Sequence, residues 1–359
     1  MFFYWLLFLI PAFFALISNT RQPSSQDDFY STKLNPLWWL IILVLTFFIG
    51  LRHEVGGDWV NYLYMLEKIA IRPIADSFTL MSDPGYNLLS LISLRLGWGI
   101  YGVNLFCGFI FSIGLSVFCR NLPRPLLALA VAIPYLVIVV AMGYSRQGVA
   151  LGIAMLGLVA LTREKRLKFF VMICIATTLH KSAFLLLPIA VLASTRNRFL
   201  VFFSFFLLIG AIYTLLLSDA YETLITNYID SQYASQGAFI RLLMNAFPAA
   251  IFLLWRHRFN FNRYEQPLWV IFSYLSLLLL SLLYLTNAST ALDRIGLYML
   301  PIQLVVFSSL PEIFKKSGNI NQWIVIGILS YYSLVLFVWL NYATHAGLWL
   351  PYQNYLFIP

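Results

Sequence analysis

"TREKRLKFFVMICIATTLHKSAFLLLPIAVLASTRNR", Thr162 to Arg198, decides how this chain is laid out. A basic cluster opens it, an apolar run over 167–194 follows, and a second basic cluster closes it. Read as one membrane span, the run puts the two clusters on opposite sides and leaves His180-Lys181 near its centre. A lysine there costs about 2.5–3.5 kcal/mol. Read as two short helices with His180-Lys181 at their outer tip, the run keeps both clusters on one side. Only this second reading gives the whole chain a clean orientation.

The rest of the sequence extends the pattern. Of 359 residues, 61% are hydrophobic and 10% charged, against about 25% charged in a soluble domain. Apolar runs recur at 2–18, 36–51, 101–119, 126–143, 147–162, 167–194, 199–218, 240–255, 267–286, 294–310 and 320–340. A crossing helix needs about 17–25 residues, so several runs borrow flanking polar positions. The expected fold is all-α, a polytopic transmembrane helix bundle of about eleven or twelve segments forming a single membrane domain over 1–359. "MFFYWLLFLIPAFFALIS" lacks the basic start of a cleavable signal and reads as a retained first span. With both termini outside, the inner connections collect most of the 23 Lys and Arg residues, as cytoplasmic loops do. The net charge of +9 is thus a topology signal. No solvated basic face suggests nucleic acid. The three cysteines lie in apolar runs without disulfide or metal spacing.

The longest outer loop is 52–100, and a second covers 219–240. The first begins with "GLRHEVGGDWVNY", Gly50 to Tyr62, a dense set of polar groups at the lip of a greasy run. Gly56 and Gly57 allow a sharp turn that aims Asp58 back toward the membrane. Trp59 and Tyr62 pack at the interface or stack on a sugar. "SDPGYNLLSLISLR" reads as an interfacial helix opened by Pro84.

Outer loops should be poor in cations, yet Arg52, Arg146, Lys181, Arg241 and Arg294 fall there, mostly at helix starts. A single such arginine snorkels to the headgroups. Several together, each adding a bidentate donor to a helix N-terminus, predict a cationic pocket for a diphosphate at headgroup depth. Asp58, Glu54 and His180 are the proton acceptors beside it. Gly148 and Gly152 read as a helix-packing pair, not a phosphate loop.

At these residues a resemblance emerges. "LRHEVGGDWVNY" resembles the R-x-x-x-G-x-D-x-x-x-Y signature of the EpsG-type exopolysaccharide polymerases, relatives of Wzy. "DPGYNLLS", "YSRQGVALGIAML", "TLHKSAFLLLPIA", "DRIGLYMLP" and "LWLPYQNYL" are similar to further family motifs, in the same order, between Leu51 and Leu356. The sequence departs from the family pattern at Gly57, where Thr or Ser is usual, and at Asp83, where Glu is. The resemblance implies a multi-pass enzyme of the bacterial inner membrane with a bundle similar to C-type glycosyltransferases. It would join undecaprenyl-diphosphate-linked oligosaccharide donor and acceptor units on the outer side, with a chain-length regulator as a further partner. By motif, Arg52, Asp58, Arg146, His180 and Arg294 are the matched positions. Lys181, Arg241 and Asp293 are added from placement alone. In this reading Asp58 or His180 is the base, and the arginines and Tyr62 bind substrate. No outer Asp-x-Asp motif stands out, which agrees with a metal-independent, cofactor-free transfer. The rival readings are a flippase or transporter of lipid-linked oligosaccharide and a glycan ligase or acyltransferase.

Overall fold

A computed structural model describes residues 1–18, 34–71, 83–194, 237–286, 289–315 and 321–358, with isolated residues between 199 and 210. The outer loop expected over 219–240 falls outside the described residues up to 236. The helices are α1 (Phe2–Ile17), α2 (Pro36–Gly50), α3 (Trp59–Ile71), α4 (Pro84–Arg95), α5 (Gly99–Arg120), α6 (Pro125–Ala132), α7 (Ser145–Thr162), α8 (Arg166–Leu179), α9 (Leu186–Ser194), α10 (Ala238–Trp255), α11 (Glu265–Leu285), α12 (Ser289–Leu297), α13 (Pro301–Ile313) and α14 (Gln322–Tyr342). A π-helix, Ile133–Ala141, continues α6. No strand is present among the described residues.

Five helices are long and apolar enough to cross a membrane: α5, α7, α10 with the turn after it, α11 and α14. The α12–α13 pair, bent by 51°, meets the same length and apolarity when taken together, as a broken span or a re-entrant loop. Three shorter apolar helices accompany them: α1, α2 and α6 with its π-helical extension. The protein is therefore an all-α, polytopic membrane bundle. The run at 167–194 divides as expected. Helix α8 ends at Leu179, His180 is non-helical, and a 3-10 turn over Lys181–Leu185 leads into α9.

Starts are written locally. Pro36, Pro84, Pro125 and Pro301 each open a helix, where the missing N–H costs nothing. Asn35 caps α2 by accepting from the Trp38 N–H at 3.1 Å.

The described chain forms two compact units. The first comprises Met1–Ala160, Arg166–Ala183 and Phe307–Pro359. In it, the π-helix Ile133–Ala141 is buried at every residue, and α7 is also largely buried. At Gly152, α7 lies against the Phe111 and Gly114 backbone of α5, the close packing that small residues allow. Helix α4 has its amphipathicity reversed relative to a water-soluble protein. Asn87, Ser90 and Ser93 are buried while Leu88 and Ile92 are exposed, as suits a helix with lipid outside and polar groups inside. The second unit comprises Leu161–Lys165 and Phe184–Val306. In it, α10 packs on α11 and α12.

Candidate functional site

The site is built at the ends of helices in the first unit. Arg52 follows α2 directly and is 1% exposed. Its Nε donates to the Val55 carbonyl at 3.1 Å, Nη1 to the Ile49 carbonyl at 2.5 Å, and Nη2 to Asn104 Oδ1 at 3.1 Å and Ser145 Oγ at 2.7 Å. Burial pushes its pKa down, but a guanidinium keeps its proton. The loop that carries it is clasped by the C-terminal segment. His53 N–H donates to the Gln353 carbonyl, Gly56 N–H to that of Leu348, and Tyr355 N–H to that of Leu51, while Arg52 and Asn354 form an antiparallel bridge. Gly56 has φ +111°, and a side chain there would collide with the Met142 carbonyl. Trp349 donates from Nε1 to the Ile138 carbonyl inside the π-helix. In a π-helix the ladder is rearranged, and such segments cluster at functional sites.

A second cluster involves Asp83, which stands just before α4. Its Oδ2 lies 2.9 Å from Arg146 Nη1 and 3.6 Å from His180 Nδ1. Its Oδ1 accepts from the Lys181 backbone N–H at 3.1 Å. The Asp83 side chain is 8% exposed. Burial raises its pKa, but the His180 ring, Arg146 and the Lys181 N–H outweigh burial and hold it below the usual carboxylate value. Gly85 makes the cluster possible, because a side chain there would strike Thr178 at the end of α8. Arg146, at the start of α7, also lies over the Tyr62 ring at 5.9 Å, and its backbone N–H points to Tyr62 Oη at 3.4 Å. Its buried Nε has no hydrogen-bond partner among the described residues. The Lys181 side chain is exposed. Ser182 Oγ sits 3.4 Å from His180 Nε2.

Asp58 is half-buried in the turn before α3, where its carbonyl accepts the Tyr62 N–H at 2.9 Å. The structure thus gathers Arg52, Asp58, Tyr62, Arg146, His180 and Lys181 in the first unit. Arg241, Asp293 and Arg294 belong to the second. There Arg241 Nε meets Asp293 Oδ1 at 2.7 Å, tying α10 to α12, and Arg294 is exposed. Asp83 is the residue that sequence reasoning passed over. Its signal was visible in "DPGY", but a residue before Pro reads first as a helix start.

A protein-family model matches residues 36–354, described as the EpsG family. This chain belongs to the EpsG family. The match runs from the start of α2 to the clasp residue Asn354 and so includes both clusters and the pair in the second unit. No curated protein and no solved structure matches this EpsG-family chain.

Proposed function

We propose that this EpsG-family protein is a polysaccharide polymerase of the bacterial inner membrane, working on its outer side. It would join lipid-linked oligosaccharide repeat units by glycosyl transfer. The observation that carries this reading is the Asp83–His180–Arg146 cluster: a base held by a carboxylate, beside a cation with a donor to spare.

His180 is assigned as the base. Its Nδ1 faces Asp83 across 3.6 Å; with the ring proton on Nδ1, the Nε2 lone pair, beside Ser182 Oγ, is left for the acceptor hydroxyl. Nε2 takes the hydroxyl proton as the oxygen attacks the anomeric carbon of the donor glycan. The bond from that carbon to the phosphate oxygen breaks, and the polyprenyl diphosphate leaves with its electron pair. Arg146 and the Lys181 ammonium stabilise the diphosphate charge, and Asp83 stabilises the imidazolium until its proton passes to the leaving group or water. Arg52 is assigned to shaping the loop, since its donors are spent inside the protein. Asp58 is assigned to starting α3. The undecaprenyl carrier and a chain-length regulator belong to the same proposal.

The test is incubation of purified protein with lipid-linked repeat unit, reading product length. A ladder that disappears in His180→Ala and persists in Asp58→Asn is the expected result. A ladder lost in Asp58→Asn but kept in His180→Ala would reassign the base. One feature favours a second reading as an oligosaccharide transporter: the broken α12–α13 helix, of the kind that lines transporter sites. Translocation of lipid-linked units without chain growth would select it.

A further inference from the structure

Beside the Arg52 loop lies a set of rings that the proposed chemistry does not use. Tyr101 and Tyr355 stack with centroids 4.1 Å apart. His53 stacks on Tyr101 at 6.0 Å, and its Nδ1 is 2.5 Å from Tyr101 Oη. Trp59 closes the set edge-on to His53 at 6.0 Å. Tyr355 is 51% exposed. Next to the rings, Glu54 holds a left-handed backbone, φ 53°, and its carboxylate lies 3.8 Å from His53 Nε2 with 69% of the side chain exposed. A non-glycine residue in that region is strained, and such strain collects at sites that bind or react.

We propose that Tyr355, Tyr101, His53 and Glu54 form a saccharide subsite that holds the glycan part of the substrate. Sugar rings present an apolar C–H face and an equatorial rim of hydroxyls. The aromatic rings match the face, and the Glu54 carboxylate and His53 match the rim. The position fits as well. Trp59 and Tyr62 are one turn apart on α3, hence on one side of it. Trp59 touches this ring set, and Tyr62 touches Arg146. Both side chains are buried, so the first turn of α3 is the packed element that links the rings to the Arg146–Asp83–His180 cluster. The inference rests on the polymerase reading for which step the glycan serves, and on the ring geometry alone for binding.

The experiment separates the two. The probe is the oligosaccharide fraction released by mild acid from a bacterial lipid extract, added to full-length protein in nanodiscs and read by saturation-transfer NMR. Wild type should bind, and so should Tyr355→Phe, which keeps the ring. Tyr355→Ala and Glu54→Gln, both at exposed positions, should bind about tenfold more weakly. His180→Ala should bind as wild type while losing the product ladder. Unchanged binding in Tyr355→Ala and Glu54→Gln, or no transfer to any oligosaccharide in wild type, overturns the subsite. The latter result would leave the rings as a membrane-interface belt. Ring-dependent binding in a protein that builds no ladder keeps the subsite and overturns the polymerase.

Discussion

Replacing Asp83 by Asn keeps the size of the side chain and removes the charge that faces Arg146 and His180. On the polymerase reading, turnover should fall about 10²–10⁴-fold, because the proton acceptor His180 loses the carboxylate that stabilises its charged form, while binding of a lipid-linked donor persists. The same variant reports on pH. Because the Asp83 pKa is held below its ordinary value, its charge stabilises the fold above the unfolded carboxylate pKa. That contribution is lost as pH falls through the folded value. The thermal midpoint of wild type should exceed that of Asp83→Asn at pH 7, and the gap should narrow once pH falls below the ordinary carboxylate pKa. Arg52 and Arg146 should separate under Lys substitution. Arg52 places four bonds on fixed acceptors, a fork that an ammonium cannot reproduce. Arg52→Lys should lower the melting temperature and leave activity per folded molecule intact. Arg146→Lys should melt normally and lose roughly ten- to a hundredfold in turnover, since one charged hydrogen bond is worth about 1.5–3 kcal/mol. From sequence the two arginines look alike, because both follow or begin an apolar run. Burial alone tells them apart.

At the scale of elements, the contact between α4 and α8 sets the distance from Asp83 to His180. A methyl at position 85 meets the Thr178 side chain and its backbone carbonyl carbon. Gly85→Ala should therefore push α4 off α8 and cost activity, with expression maintained. Adding Thr178→Ala removes the side-chain part of the clash and should restore part of the loss; no restoration would mean that the glycine serves α4 alone. The existence of α4 was legible from Pro84 and the apolar spacing after it. Which face it buries was not. The interfacial reading leaves the polar side toward water, whereas Asn87, Ser90 and Ser93 turn inward against the protein and Leu88 and Ile92 stay exposed. The π-helix over 133–141 was also hidden, since "IPYLVIVVA" is apolar at every position and any helical period suits it.

For the molecule as a whole, charge and hydropathy carried the fold class, and the break at His180 was written in two adjacent polar residues. The orientation is open to a direct measurement. With the three native cysteines removed, Cys at Arg166, the exposed start of α8, and at Lys181, exposed in the turn after it, should react with an impermeant reagent from opposite faces. Position 181 should label from outside. Labelling of both from one face would overturn the paired-helix topology. What the sequence concealed is long-range. Nothing in "GLRHEVGGDWVNY" announces that "LWLPYQNYL" will lie against it, because the partners are some three hundred residues apart and the main-chain hydrogen bonds between them leave no mark in the residue types.

That clasp ties the making of the protein to its working order. The Arg52 loop is synthesised some three hundred residues before the segment that fastens it. During most of translation the loop has no Leu348, Gln353 or Asn354 to hold. A ribosome that stops early would leave a chain with its membrane helices in place and its Arg52 loop unfastened. Released before residue 348, such a chain would keep Arg52 and its neighbours without the main-chain partners that fix them.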